Sequence, residues 1–282
     1  MASIKCGTCS WNYDSWLGLV YTKKSPKAAG YLREYSKKYR TVEIDSWFYK
    51  IPPPKDIIEY SEQVDDDFSF TCKVTQDITL THLRNFKQPK KELTPNNSFL
   101  SVDLFNEYIN AITPLLPQMD AIMLEFEYLN KKKMESLDIF LKHLDTFLSK
   151  IHINIPLAVE TRNSNYIKPE YFQFLKDKNI IHVFSEKIYM PHIYEVYEKF
   201  HDYIGDTTVI RLLGGDRKEM EELTKNKWDK IVSKKNDINK VIEMVSDMYR
   251  KNKKITINVN NHYEGSAPIT IANLETLFNE LL

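Results

Sequence analysis

The sequence predicts a single-domain (β/α)8 TIM barrel over residues 1–282, and three observations carry that expectation. Eight short runs of strand-like composition recur along the chain, at 4–10, 41–47, 68–75, 121–127, 156–162, 180–185, 207–213 and 255–260. Stretches with apolar residues at helical spacing lie between them, at 28–39, 99–116, 134–151, 171–177, 238–249 and 271–282; such alternation is the pattern of a parallel barrel wrapped in helices. Six of the eight runs also place a polar residue among apolar neighbours at alternate positions. A doubly wound open sheet would instead show continuously apolar strands.

Taken in order, each run assigns an inner and an outer face, because side chains alternate across a strand. In the first run, Cys6 and Thr8 are expected on the inward set. In the second, Val42 and Ile44 face helices and leave Glu43 and Asp45 inside. The third turns Lys73 inward between Cys72 and Val74. The fourth sends Ile122, Leu124 and Phe126 outward, with Glu125 and Glu127 inside. The fifth places Glu160 and Arg162 inside, the seventh Arg211, and the eighth Asn258 and Asn260. A polar, proline-containing excursion over 77–97 follows the third strand, and 214–254 is long enough for two helical pieces after the seventh.

Composition narrows the function classes. Lys+Arg and Asp+Glu both number 39, so no overall field favours coating of nucleic acid, although a local basic pocket is compatible with that balance. Three cysteines are too few for a disulfide scaffold and suit a reducing compartment. The first residues lack the apolar core of a signal peptide, and no apolar run approaches the ~20 residues that span a bilayer. The expectation is a cytoplasmic soluble protein without membrane partners; oligomeric state is not legible.

Catalytic groups of (β/α)8 enzymes sit at the carboxyl ends of the strands. Burying charge there is costly unless it is paired, so one inward charge reads as a structural ion pair. Many at one end point to function. Glu43 and Glu160 are the candidate general acid and base, and Lys73 is a candidate base or Schiff-base amine. Arg162 and Arg211 suit an anionic group on the substrate. Gly214 and Gly215, followed by Asp216, form a turn that could cradle phosphate or simply cap a helix. The seven histidines lack metal-site spacing, so no cofactor is expected; Mg²⁺ or Mn²⁺ held by Glu43, Glu125 and Glu160 is the weaker alternative. Aromatics after the first two strands, Trp11, Tyr13, Trp16, Trp47, Phe48 and Tyr49, would line the mouth as a stacking rim or pack as its lid.

Five stretches resemble a known family in order along nearly the whole chain: GTCSWNYDSW (7–16), TVEIDSWFYKIP (41–52), FSFTCKV (68–74), AVETR (158–162) and NVNNHYEGSAP (258–268). They are similar to the YecE-like family, domain of unknown function 72, whose pattern includes N-N-H-Y-x-G-x-A-P. The resemblance implies a (β/α)8 barrel and supplies no agreed reaction. It marks Thr8, Trp11, Tyr13, Trp16, Glu43, Phe48, Tyr49, Lys73, Glu160, Arg162, Asn260, Asn261, His262 and Gly265 as signature positions. This chain departs from the pattern at Cys9 and Ser10, where Ser-Gly is usual, and at Asp45, where Asn is usual. It departs again at Glu125, near a usual Gln, and at Leu213, where His usually precedes the glycine.

The resulting expectation is an enzyme using acid/base catalysis at the barrel mouth on a small or sugar-like substrate bearing phosphate or carboxylate. Glu43, Lys73 and Glu160 would be catalytic. Thr8, Trp11, Tyr13, Tyr49, Arg162, Arg211, Gly214, Gly215, Asn260, Asn261 and His262 would bind substrate. The alternative is a nucleic-acid-binding or endonuclease-like barrel using the aromatic rim and a basic pocket. Cys6 and Cys9 form a C-x-x-C that mimics a redox motif. On a strand, residues three apart point to opposite faces with Cα atoms ~10 Å apart, beyond the ~7 Å that a disulfide spans, so no bridge is expected.

Overall fold

The computed structural model describes residues 1–83, 93–152 and 154–281. Eight parallel strands close into a barrel in sequence order: β1 (Ser3–Cys9), β2 (Thr41–Ile44), β3 (Ser69–Lys73), β4 (Met119–Glu125), β5 (Leu157–Glu160), β6 (Ile181–Lys187), β7 (Thr207–Gly214) and β8 (Lys254–Val259). β8 pairs back onto β1, leaving no free sheet edge. The helices are α1 (Ala28–Tyr35), α2 (Pro54–Ser61), α3 (Gln76–Thr79), α4 (Val102–Ile112), α5 (Leu137–Leu148), α6 (Pro169–Asp177), α7 (Ile193–Phe200), α8 (Arg217–Thr224), α9 (Ile238–Arg250) and α10 (Ala267–Leu281). None is long and apolar enough to cross a membrane among the described residues.

Local chemistry explains where the helices start and stop. Ser101 caps α4 by accepting from the N–H of Leu104 at 3.2 Å, and Ser136 caps α5 by accepting from Ile139 at 3.2 Å. Both helices are therefore shorter than the apolar periodicity over 99–116 and 134–151 suggests. Beyond α4 the chain tightens into a 3₁₀ turn over Thr113–Gln118, which contains prolines that cannot continue a helix. Proline also begins α2 and α6, where its missing N–H costs nothing. The 214–254 region holds α8 and α9 as expected, whereas α2, α3 and α7 lie outside the apolar-periodic stretches. Of the 77–97 excursion, residues 84–92 lie outside the described residues, as does Leu282 at the end of the last helical stretch.

Cross-strand pairs fix which side chains share a face. Cys9 pairs with Glu43, Glu43 with Thr71, Glu125 with Glu160, and Arg211 with Asn258. These residues point into the barrel, while Val42, Ile44, Phe70, Ile122 and Leu124 face the helices in a continuous apolar core. The same register corrects the first strand. Thr8 pairs with outward Val42, and Cys6 pairs with outward Ile257, so both face the helix layer. The inward residues of β1 are Lys5, Gly7 and Cys9.

The interior is layered from bottom to top. At the amino ends, Lys5, Ser69 and Thr256 gather around Asp120, whose Oδ2 accepts from Ser69 at 2.6 Å and from Thr256 at 3.1 Å. A register shift in the β3–β4 pairing brings Asp120 to that floor. Above it lies a small apolar band of Ala121, Met123, Ala158, Val183 and Val209. The top layer is charged and forms the candidate site.

Candidate functional site

Arg211, from the middle of β7, is the hub of the charged layer. Its Nε and Nη2 donate to the two oxygens of Glu43, each at 2.7 Å, a bidentate pairing across the barrel. Its Nη1 donates to Glu125 at 2.9 Å and also to Glu160. One guanidinium thus ties β7 to β2, β4 and β5. Toward the mouth, Nη2 of Arg162 lies 3.1 Å from Glu125 and its Nε lies 2.7 Å from Glu160. The latter contact is close but not aligned as a hydrogen bond, because both atoms lack a hydrogen-bond partner. On the other side Lys73 Nζ sits 2.5 Å from Asp45, 3.6 Å from Glu125 and 3.9 Å from Glu43. The same ammonium lies 4.8 Å from the centre of the Phe48 ring.

Depth divides these residues into two groups. Glu43, Glu160 and Arg211 are sealed, with Glu43 and Glu160 wholly out of contact with solvent. The side chains that reach the mouth are Asp45 at 29% exposure, Arg162 at 18%, Glu125 at 14% and Lys73 at 9%. Glu43 and Glu160, the acid and base candidates from sequence, thus lie deeper than their neighbours. They form the floor, and Asp45 and Glu125 present carboxylates above them.

Counting only the ion-paired groups, charge in the layer does not balance. Four carboxylates (Glu43, Asp45, Glu125 and Glu160) face three paired cations (Lys73, Arg162 and Arg211). In a water-poor interior a surplus negative charge is resolved by taking up a proton. Burial, with Asp45 adding repulsion against the pull of Arg211, pushes the Glu43 carboxyl up to about 7. Asp45 moves the other way: burial opposes ionisation, but Lys73, Arg211 and a hydrogen bond from Glu43 hold its pKa below the usual carboxylate range. Of the two, Glu43, the sealed member, is the one that burial drives toward its protonated form. Burial also works against charge on Glu125 and Lys73. It is outweighed at Glu125 by Lys73 and Arg162, which lower its pKa, and at Lys73 by Asp45 and Glu125, which raise its pKa. Lys73 is thereby locked as an ammonium and is a poor amine nucleophile.

The remaining sequence candidates divide by location. Thr8 donates through its hydroxyl to Ser10 O and, at 2.9 Å, meets the Tyr35 hydroxyl of α1, behind the barrel wall. Trp11 is buried, donating to Ala28 O at 2.8 Å and packing edge-on against Tyr60. Both are packing residues. Tyr13 is half-buried near Asp45 and Arg217, with burial chiefly raising its phenol pKa. Tyr49 stands 64% exposed after β2. Asn260 accepts from the backbone N–H of His262 at 2.9 Å, and Asn261 accepts from Ala267 N at 3.0 Å at the start of α10. His262 packs against Trp228 at 4.7 Å and approaches Glu221 at 3.4 Å.

Gly214 and Gly215 need correction as a phosphate cradle. Asp216 accepts from the N–H groups of Lys218 and Glu219 at 2.8 and 3.0 Å, so its own side chain occupies the α8 N-terminus. Gly214 serves a close approach instead. With φ of +84°, it would place a Cβ 2.3 Å from His262 O.

Lys187 is the mouth residue that sequence reasoning missed. It stands one alternation beyond Ser185 on β6, and extending that run by two residues would have found it. Exposed Tyr128 and Tyr189 were also missed; they follow β4 and β6 as Tyr49 follows β2. Tyr189 holds a positive φ of 69° while 88% exposed, a strained backbone with little packing to support it.

Glu43, Glu125 and Glu160 direct oxygens to Arg211 and not to a shared open position. No group of three or more His, Cys, Asp or Glu is placed to hold a metal among the described residues. The three cysteines are buried and free. A cavity of about 910 Å³ opens at the opposite, amino-terminal face, where Leu157, Ile181 and Thr207 begin their strands; it contains none of the strand-end charges.

The sequence profile described as "Protein of unknown function DUF72" matches residues 5–281. The UPF0759 protein YecE of Escherichia coli K12 is 25% identical over 122 residues, covering 43% of this chain and 37% of YecE, so the match spans little more than a third of that relative's length. Crystal structures of two DUF72 family proteins share the fold at 19% identity each. The one from Enterococcus faecalis V583 has a TM-score of 0.70, covering 98% of this chain and 96% of that one. The one from Thermotoga maritima MSB8 has a TM-score of 0.68, covering 98% and 99%.

Proposed function

This chain belongs to the DUF72 family, and on that premise we propose that its charged barrel mouth is the active site of an enzyme that moves protons on a small anionic substrate. The observation that carries the reading is the clustering of four acids with three paired cations in one enclosed layer at the barrel mouth, where burial raises the Glu43 carboxyl toward neutrality. A group poised near ambient pH is the condition for efficient general acid/base catalysis. Asp45 faces the mouth and exchanges protons with substrate; Glu43 behind it stores the proton; Lys73 keeps Asp45 ionised between transfers. Arg162 offers its exposed edge to phosphate or carboxylate.

The test is a thermal-shift screen of phosphorylated and carboxylated small molecules, followed by calorimetry on the hits. Arg162→Gln should weaken a hit by roughly tenfold or more, in keeping with loss of a charge-assisted pair. Asp45→Asn should retain the ligand and lose turnover. A screen without hits, or hits indifferent to Arg162, removes the reading.

Exposed Tyr49, Tyr128 and Tyr189, set after alternate strands, favour a second reading: a stacking platform for single-stranded nucleic acid. Fluorescence anisotropy with labelled oligonucleotides should then show binding that weakens with salt and with Tyr189→Ala. Binding absent at low salt retires this reading.

A further inference from the structure

We propose that Lys187 is a carbonyl-trapping amine that forms a Schiff base with an aldehyde or ketone entering the barrel mouth. The proposal rests on the acid/base reading of the same site and narrows its substrate to an anionic carbonyl compound.

Placement is the first argument. Val183 packs in the apolar band inside the barrel, and Ser185 pairs with inward Arg211. Two residues further on, at the carboxyl end of β6, Lys187 pairs with Gly214 after an irregularity in the β6–β7 register that skips Leu213. Alternation along β6 itself carries its side chain toward the mouth, where Arg162, Glu160, Glu125 and Arg211 act on it. It is half-buried. Isolation is the second argument. Lys73, Arg162 and Arg211 all have carboxylate partners, whereas Lys187 has no salt-bridge partner within 4.0 Å among the described residues. The charged groups acting on it are Arg162 and Glu160 from the end of β5, Glu125 from β4 and Arg211 from β7; His262, beyond β8, feels its charge in turn. Burial first, then Arg162, pulls its pKa below that of an ordinary lysine. An amine that is desolvated and set beside other cations is the activated form of lysine. Lys73, clamped by carboxylates, is the reverse case.

The step balances. The lone pair of the neutral Lys187 amine adds to the carbonyl carbon, and the C=O π pair moves onto oxygen. One proton passes from nitrogen to that oxygen, giving a carbinolamine. The C–O bond then breaks as the nitrogen lone pair forms C=N. The oxygen leaves as water after accepting a second proton, supplied by the acid pair of the mouth. Amine, carbonyl compound and one proton become an iminium and one water, with no change of oxidation state. Glu125 and Glu160 face the resulting positive charge, and the anionic group of the substrate pairs with Arg162.

The experiment incubates the full chain at pH 7 with pyruvate, and separately with glyceraldehyde, before reduction with borohydride and peptide mapping by mass spectrometry. The expected result is one equivalent of adduct with pyruvate on the peptide carrying Lys187. It should form at least tenfold faster than on any surface lysine and faster than with uncharged glyceraldehyde. Lys187→Arg should abolish it with an unchanged melting temperature; if that variant melts early, the adduct site in the unmodified chain alone decides. Adduct spread over surface lysines, adduct on Lys73, or no adduct overturns the proposal. Anion binding that survives at Arg162 without any adduct sinks the Lys187 chemistry and leaves the acid/base reading standing. Adduct at Lys187 together with unimpaired turnover in Asp45→Asn does the opposite.

Discussion

At the scale of the residue, neighbouring glycines have different roles. Gly214 adopts φ of +84° and would drive a Cβ to 2.3 Å from His262 O, whereas a Cβ on Gly215 meets nothing within 4 Å. Gly214→Ala should therefore cost at least about 2 kcal/mol, from backbone strain and a clash with main-chain atoms that cannot move aside. Gly215→Ala should stay within about 0.5 kcal/mol. Urea denaturation of the two variants beside the parent chain measures both; equal losses would refute the close-approach role of Gly214. Position within a strand also matters. Cys6 and Thr8 have the right alternation to face inward, yet the pairing of Cys9 with Glu43 turns them out. The C-x-x-C holds three-apart thiols on opposite faces, both buried and free.

At the scale of the element, the α8 N-terminus shows how a loop that looks like an anion site is already occupied. Asp216 satisfies two of the helix's free N–H groups with its own carboxylate. Asp216→Ala should destabilise the chain by about 1 kcal/mol, and Asp216→Ser should recover most of that, as expected of a cap. Denaturant midpoints decide it, and a neutral Asp216→Ala would mean that α8 is held by packing alone. Strand length acts at this scale too. β6 runs to Lys187, two residues past the β-rich run read from sequence, and those two residues change which lysine is free at the mouth.

At the scale of the molecule, the charged layer ties β2, β4, β5 and β7 through Arg211 and makes stability depend on pH. Glu43 is raised to about 7 when folded, against roughly 4.3 in the unfolded chain. Between those values the folded state holds the extra proton. The contribution is complete below the unfolded pKa and is lost as pH rises through 7. The unmodified chain should thus lose on the order of 2–3 kcal/mol between pH 5 and 8. Asp45 and Glu125, both lowered, add stability above their unfolded values and lose it only in stronger acid, a separate window. Asp45→Asn removes the repulsion that adds to burial in raising Glu43, so the slope between pH 5 and 8 should become shallower. Urea denaturation across that range reads it directly; an unchanged slope would mean that Asp45 does not raise Glu43.

The sequence alone determined the barrel, because alternation within strands and helical spacing between them are local signals that every element repeats. It also named most of the inner charges: Glu43, Lys73, Glu125, Glu160, Arg162 and Arg211 all meet at one end. The family motif at 258–268 located the turn that Gly214 packs against. Local pattern could not give depth or pairing. Whether a carboxylate is sealed or exposed depends on the stagger at which eight strands close, and every ion pair of the layer except Arg162 with Glu160 joins residues tens to more than a hundred positions apart. Tertiary structure therefore decided that Glu43 and Glu160 are floor and that Asp45 lies nearer the mouth. It also decided that three cations face four acids, and that Lys73 is clamped while Lys187 stands without an ion-pair partner among the described residues. A charge is legible from its residue type, but its protonation state depends on the neighbours that folding brings within reach.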